Sequence, residues 1–299
     1  MEEDLSISCA HDKFFKETFS RKETMCSFIT EYLPKSLTSK LNLETLAIQK
    51  DSFINKELAE TFSDLVYSVE LSGKKAYIYF LFEHKSYIDK WVMYQLLRGM
   101  VSIWDDRIAK HGKKKGKKED KGNGKNGEQK NVFPKFLPVV VPIVIYHGEK
   151  EWNVENSLGH LFDCDDNIKH YIPEFKSEVY DISNIPENEI RGNLFLRAYM
   201  HFLNRTQKRT LNELLDIVFA LLSEIYNERT KLDCFELFLR YFGSIAKPEE
   251  WENVNVTKFL SKQDGEHIMK TAADVFIERG IEKGKIEDAK MMLQMELTI

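Results

Sequence analysis

Residues 64–86, DLVYSVELSGKKAYIYFLFEHKS, decide the fold because they read as a single β-hairpin. Two runs of strand-forming residues flank Gly73, which suits the first central position of a type II′ turn with Lys74 as the second. A turn at these two residues sets the register of the hairpin. It predicts that Asp64 and Glu83 lie opposite each other, with Cβ atoms about 5 Å apart and both side chains on one side of the sheet.

The end of this hairpin combines two carboxylates with an ammonium group. Lys85 follows Glu83 by two residues, so the strand period of two places both on one side. A pair of carboxylates can hold Mg²⁺ together with a substrate phosphate, and a nearby lysine can orient or activate the attacking water. The structural alternative is an ion pair at the end of a strand. A shift of one residue in the turn would place Asp64 and Glu83 on opposite faces.

The rest of the chain predicts a mixed α/β part followed by helices. The 299 residues are 42% hydrophobic and 12% aromatic, enough for one large or two smaller domains. Helical spacing begins at Asp12 and ends at Pro34, whereas residues 1–10 show no pattern of an ordered element. Asp12 would then cap the first helix, and Glu17 would lie on its exposed side. An amphipathic helix is predicted over 90–109.

Further boundaries follow from composition and hydrophobic periodicity. Residues 139–146, VVVPIVIY, predict a buried strand in which Pro142 lies where its missing donor is tolerated. Apolar stripes of helical period follow, so we divide the chain into an α/β part, a helical region and a helical tail, at 1–185, 186–268 and 269–299.

Residues 110–131, KHGKKKGKKEDKGNGKNGEQKN, form a low-complexity run rich in lysine and glycine. The run contains no apolar residue, so it predicts a flexible, disordered insertion. It is either a solvated loop or a non-specific contact to a polyanion, since each lysine can release phosphate counterions. The candidate contact residues are Lys113, Lys114, Lys115, Lys117 and Lys118.

Charge and cysteine usage exclude some classes of protein. The net charge is −5, so any surface that faces phosphate must be local. The four cysteines are scattered and predict neither a disulfide framework nor a zinc site. The first ten residues, MEEDLSISCA, have neither the basic nor the apolar segment of a secretory signal, and the longest apolar stretch is too short to span a bilayer. We therefore expect a cytoplasmic protein without a membrane partner.

Four stretches together resemble the Rpn family of recombination-promoting nucleases, also described as YhgA-like transposases, in the PD-(D/E)XK nuclease superfamily. In chain order they are HDKFFKETFSRKETMCSFITEYLP, FSDLVYSVEL with YFLFEHKS, LPVVVPIVIYHGEKEW, and FIERGIEKGKIEDAKMML. The lysine-rich insertion is longer and more basic than the link typical of the family. Relatives also commonly continue beyond the point at which this tail stops, so the tail reads as shortened.

The resemblance implies a PD-(D/E)XK core, a central mixed sheet with helices on both sides, and endonucleolytic cleavage of DNA with Mg²⁺ or Mn²⁺. It assigns metal binding to Asp64 and Glu83, the third motif position to Lys85, and a supporting role on the next helix to Gln95. An acid on the first helix, Asp12 or Glu17, is a further expectation of this resemblance.

Three functions stay open at this point. The leading hypothesis is a Mg²⁺-dependent DNA endonuclease with a role in recombination or transposition, with self-association as a further expectation. The first alternative is a catalytically inactive nucleic-acid-binding or interaction protein that keeps the nuclease fold. The second is a structural acidic cluster without a ligand. Fold alone does not decide between them.

Overall fold

The computed structural model describes residues 2–49, 65–72, 74–85, 88–119, 133–148, 150–204, 209–246 and 258–270, and the single positions 250, 254, 274, 277 and 281. In 2–9, 74–85, 112–119 and 211 the backbone alone is described. The chain divides into two compact units. One comprises residues 19–184, and the other comprises residues 1–18 with residues 185–299.

The unit of residues 19–184 is built on one mixed sheet. Its strands are β1 (Leu41–Ile48), β2 (Leu65–Leu71), β3 (Lys74–Lys85), β4 (Val139–Tyr146) and β5 (Glu178–Asp181). They lie in the order β1-β2-β3-β4-β5. The pairs β1–β2 and β2–β3 are antiparallel, whereas β3–β4 and β4–β5 are parallel. The α/β class expected from the sequence is therefore confirmed, as is the strand at 139–146.

The hairpin keeps the predicted register, although its turn differs from the predicted one. Six pairs, from Leu65 with Phe82 to Glu70 with Tyr77, match the expected alignment. At the closed end Leu71 pairs with Lys74, so the turn lies one residue earlier than expected. Ser72 there adopts a left-handed conformation, with φ of 47°. A bulge between Glu70 and Leu71 then restores the expected pairing along the rest of the hairpin.

Helices cover both faces of this sheet. On one face, α2 (Lys22–Tyr32) packs through Phe28, whose ring lies 5.2 Å from that of Tyr180 on β5. The hydroxyl of Tyr180 donates to the carbonyl of Tyr32 over 3.0 Å. A one-turn helix, α3 (Lys35–Thr38), follows and leads into β1. Pro34 separates α2 from α3, as its position in the sequence predicts.

The opposite face is covered by α4 (Val92–Glu119). Its buried residues pack on strand residues that all belong to one face of the sheet: Val92, Met93, Leu96, Met100 and Ile103 meet Val66, Val140 and Val144. Complete burial of such a side chain contributes roughly 1.5–3 kcal/mol. The placement of α4 relative to the sheet is therefore set by an apolar interface of several side chains.

The lysine-rich run differs from the sequence prediction in its first part. We expected 110–131 to be unstructured, yet α4 continues through residue 119. Lysine is a good helix former, and the helix is already nucleated by the packed residues before 104, so adding turns costs little. Residues 120–132 lie outside the described part of the chain.

Pro142 lies in the part of β4 that pairs with β3 only, because the pairing of β4 with β5 begins at Ile143.

The second unit is helical. It contains α5 (Leu194–Leu203), α6 (Leu211–Ser223) and α7 (Glu228–Ile245), followed by a helical segment over 262–270. α1 (Glu2–Phe19) contributes its residues up to Thr18 to this unit, where the ring of Phe14 stacks on that of Tyr241 at 4.0 Å. The sequence reading grouped these residues with the α/β part. Most of the tail over 269–299 lies outside the described residues.

The start of α1 is also earlier than expected. The helix begins at Glu2, so residues 2–10 are helical, and Asp12 lies inside the helix instead of capping it. Two helices are present between Glu2 and Tyr32, because α1 ends at Phe19 and α2 begins at Lys22. The interruption agrees with the sequence, because residues 20–23, SRKE, contain no apolar residue.

Candidate active site

The strand positions of Glu83 and Lys85 fall at the carboxyl end of β3. Glu83 pairs with Val144, and Lys85 pairs with Tyr146, in the parallel ladder with β4. Val144 belongs to the face of the sheet on which α4 packs. Paired residues of neighbouring strands share a face of the sheet. The positions of Glu83 and Lys85 therefore belong to the face on which α4 packs. Their side chains, and all of Asp64, lie outside the described residues.

Gln95 lies on α4, and Asp89 fixes its side chain. Nε2 of Gln95 donates to Oδ2 of Asp89 over 2.8 Å, and Oδ1 of Asp89 accepts the N–H of Trp91, also over 2.8 Å. Since Nε2 is the donor in this bond, Oε1 is the free acceptor end of the amide. Among the described residues, Oε1 is buried without a hydrogen-bond partner. An orphaned buried acceptor of this kind is expected next to a ligand or a water.

Asp89 was not among the residues singled out from the sequence. Its signal was nevertheless present, since an aspartate just ahead of an apolar helical run is a typical helix cap. What the sequence could not supply is the second bond, to a side chain six residues further on. This bond gives Asp89 a positioning role toward Gln95 besides its cap of α4.

Asp181 is a second acid that the sequence reading passed over. It ends β5 and pairs with Tyr146, which places it in the same register row as Lys85. Its Oδ2 accepts bonds from the N–H of Trp152 at 3.1 Å and from Nδ2 of Asn184 at 2.8 Å. Oδ1 is buried and has no hydrogen-bond partner in the described part of the chain. An acid at the end of a short strand was the only sequence signal.

The two candidate first-helix acids belong to the helical unit. Both oxygens of Glu17 lie 2.7 Å from Nη2 of Arg240 on α7, so this carboxylate already has a cationic partner. Asp12 is partly buried within α1. The candidate contact lysines fall in α4, where only the backbone is described over 112–119: Lys113, Lys114, Lys115, Lys117 and Lys118.

The described residues lack two kinds of feature. They contain no group of three or more histidine, cysteine, aspartate or glutamate residues placed to hold a metal ion. The side chains of Asp64 and Glu83 are not among these residues. In the same part of the chain, no helix has the length and apolar character needed to cross a membrane.

Comparison with known proteins places the chain in a family. The family model described as "Putative transposase, YhgA-like" matches residues 9–233. The chain belongs to this family. The match includes the whole α/β unit from α2 to β5 and continues into α7, so family membership applies to the sheet and to part of the helical unit.

Curated relatives of this YhgA-like chain come from Escherichia coli (strain K12). Recombination-promoting nuclease RpnC is 26% identical over 93% of this chain and 84% of the relative. Recombination-promoting nuclease RpnA is 25% identical over 96% and 90%. Inactive recombination-promoting nuclease-like protein RpnE is 27% identical over 81% and 74%. No solved structure gave a significant match.

Proposed function

We propose that this protein is a metal-dependent nuclease that hydrolyses phosphodiester bonds of DNA, with a core of the PD-(D/E)XK type. One observation carries the proposal. The antiparallel pairing of β2 and β3 runs to Leu65 and Phe82, the residues that adjoin Asp64 and Glu83 in the chain. This register is the one in which the two acids were expected to act together. RpnC and RpnA are named as recombination-promoting nucleases, which supports a nuclease activity.

The residues present fit a divalent metal ion. Asp64 and Glu83 would hold it, because carboxylate oxygens are the ligands that Mg²⁺ and Mn²⁺ prefer. When bound, the metal ion would act as a Lewis acid at the scissile phosphate. The acceptor Oε1 of Gln95, buried without a hydrogen-bond partner among the described residues, fits a site that receives a water or a polar ligand.

The remaining roles follow from the chemistry of the side chains. The ammonium group of Lys85 would stabilise negative charge that develops on the phosphate and would orient the attacking water. Gln95 would accept a hydrogen bond from that water through Oε1, because Asp89 holds Nε2. Lys85 and Gln95 would thus hold the water in line with the departing oxygen of the phosphate. Positioning of reactants in this way lowers the barrier of the reaction.

The test is a plasmid-cleavage assay with purified protein and Mg²⁺. Wild-type protein is compared with Asp64→Ala and Glu83→Ala, each purified in the same way, and with wild-type protein in EDTA. We expect cleavage by the wild type with Mg²⁺ and none under the other three conditions. Equal cleavage by all three proteins would show that the activity comes from a contaminant or that the site is misassigned.

A second candidate function is supported by the name of one relative. RpnE is described as inactive, although it is as similar to this chain as the relatives named as nucleases. A catalytically inactive protein that keeps the fold would bind DNA in EDTA and release it as salt rises. It would also lose binding when residues 110–130 are deleted, and it would never cleave. Cleavage that requires Glu83 excludes this alternative.

A further inference from the structure

Two exposed aromatic side chains lie at the start of α4, one just before the helix and one in its first turn. Trp91 is 50% exposed and Tyr94 is 47% exposed, although large aromatic residues usually bury most of their surface. Their ring centroids lie 6.4 Å apart in an edge-to-face arrangement. The spacing of three residues places them on neighbouring positions of one helix surface. The apolar interface with the sheet does not include them, since it uses other positions of α4.

Each of these rings has a cation beside it. Nζ of Lys90 lies 5.8 Å from the centre of the Trp91 ring, and the guanidinium of Arg98 lies 6.0 Å from that of Tyr94. From 90 to 104 the sequence contains no aspartate or glutamate, although the whole chain carries a net charge of −5. Aspartates adjoin this stretch at positions 89, 105 and 106. The positive charge beside the rings therefore comes from Lys90 and Arg98, on a protein that is acidic as a whole.

The aromatic surface adjoins Gln95. The side chains of Trp91 and Gln95 are one helical turn apart, and the N–H of Gln95 donates to the carbonyl of Trp91 over 3.0 Å. The opposite side of the same helix packs on the sheet face that, by register, includes the positions of Glu83 and Lys85. A strand held on Lys90, Trp91, Tyr94 and Arg98 would thus lie on the exposed side of α4, next to Gln95.

The geometry points to a binding surface for unpaired nucleotides on α4. Bases stack on the rings of Trp91 and Tyr94, and Lys90 and Arg98 neutralise the adjoining phosphates. Unpaired bases are required because a duplex keeps its base faces inside the stack, where no side chain reaches them. Stacking on exposed aromatic rings beside cations is the usual way in which proteins hold single strands without sequence preference. This inference rests on the proposed function and adds to it a surface that holds an unpaired strand next to Gln95.

The test measures binding separately from cleavage. Full-length protein with Glu83→Ala is titrated, in EDTA, into a labelled oligothymidylate of about 15 nucleotides or into a duplex of the same length, and anisotropy is recorded. The variants Trp91→Ala/Tyr94→Ala and Trp91→Phe/Tyr94→Phe are compared in this background. The matched control is Phe162→Ala/Ile168→Ala, which removes two side chains of similar exposure, 49% and 50%, from another part of the same unit.

We expect the alanine pair to weaken binding of the single strand about 100-fold, roughly ten-fold for each lost stacking partner. The phenylalanine pair and the control should bind within about three-fold of the parent, because stacking is kept in the first and untouched in the second. Binding of the single strand should quench tryptophan fluorescence, and Trp91→Phe should remove most of that quenching. Duplex binding should hardly change in the alanine pair.

Single-strand binding that survives in the alanine pair would overturn the inference. So would a parent protein that binds the duplex at least as tightly as the single strand, or that binds no single strand at low salt. These outcomes are distinct from failure of the proposed function. That failure is an absence of Glu83-dependent plasmid cleavage, which the binding measurement does not involve.

Discussion

Gln95 and Asp89 are joined by a 2.8 Å hydrogen bond in which the side-chain amide donates to the carboxylate. The same carboxylate caps α4 by accepting the N–H of Trp91. One residue therefore both binds the backbone just ahead of the helix and orients the side-chain amide of Gln95. Oε1 of Gln95, buried and without a hydrogen-bond partner in the described part of the chain, is the atom that this arrangement positions.

The two bonds of Asp89 can be separated by substitution. Asp89→Asn keeps an oxygen for the cap, but its amide nitrogen cannot accept the bond from Gln95. We expect near wild-type stability and cleavage about ten-fold slower. Asp89→Ala loses both bonds and should also lose about 1 kcal/mol of unfolding free energy. Urea unfolding and single-turnover plasmid cleavage measure the two effects.

Gln95→Ala provides the control for this prediction. It should slow cleavage as much as Asp89→Asn does, and combining the two changes should cost no more than either one alone. A wild-type rate for Asp89→Asn would contradict the positioning role. Additive effects of the two substitutions would contradict a shared action through Oε1.

The side chain of Tyr146 leaves no room for a Cβ atom at position 148, which is a glycine. The hydroxyl of Tyr146 donates to the carbonyl of Lys150 over 2.5 Å, and a Cβ on Gly148 would lie 2.0 Å from that hydroxyl oxygen. We expect Gly148→Ala to lower the unfolding free energy by about 1–3 kcal/mol, because the buried Tyr146 ring must move. In Gly159→Ala, the control, the added Cβ comes no closer than 3.3 Å to its neighbours and should cost less. Equal losses in urea unfolding would refute the argument.

The pair of Glu17 and Arg240 predicts a stabilising role for Glu17. Arg240 lies 2.7 Å from both carboxylate oxygens, so a double-mutant cycle should give a coupling of about 1 kcal/mol. The control pair, Lys258 with Asp216, is more exposed and has one contact of 3.4 Å, so its coupling should be close to zero. If Glu17→Ala instead abolished cleavage, and the cycle gave no coupling with Arg240, Glu17 would be favoured as the first-helix acid that the family resemblance suggests.

His201 on α5 predicts a dependence of stability on pH. Burial lowers the pKa of His201 below its ordinary value of 6.5, against the opposing effect of Glu187. The unfolded chain then binds the proton more readily than the folded one, so this residue lowers stability as pH falls below about 6.5. We expect the loss of unfolding free energy between about pH 7.5 and 5.5 to be smaller in His201→Gln than in the wild type. His170→Gln, at an exposed site, should keep the wild-type loss. Equal losses in the three proteins would contradict the prediction.

The sequence predicted those parts of the fold that depend on local patterns. The register of β2 and β3 followed from two runs of strand-forming residues around a glycine, and β4 followed from an apolar run. The position of the turn did not follow, because Ser72 takes a left-handed conformation that glycine usually takes. The bulge that compensates has no local sequence signal.

Other parts depend on contacts that a linear pattern does not show. Low complexity predicted disorder from residue 110, but propagation of a packed helix extends α4 to residue 119. The N-terminal helix was grouped with the sheet because of its place in the chain, whereas Phe14 packs with aromatic residues of α7. Asp89 and Asp181 were missed for the same reason, since their side-chain bonds to Gln95 and to the N–H of Trp152 are not visible in a linear pattern.

The most direct test of the central claim is the Mg²⁺ dependence of single-turnover plasmid cleavage by Glu83→Gln. This change removes a negative charge and keeps the shape of the side chain. Glu70→Gln on the neighbouring strand β2 is the matched control. We predict that Glu83→Gln cleaves at least about 100-fold more slowly at every Mg²⁺ concentration, since a metal ion at a phosphate lowers the barrier by several kcal/mol. Glu70→Gln should cleave at the wild-type rate. Cleavage by Glu83→Gln at the wild-type rate and with the wild-type Mg²⁺ dependence would contradict the assignment.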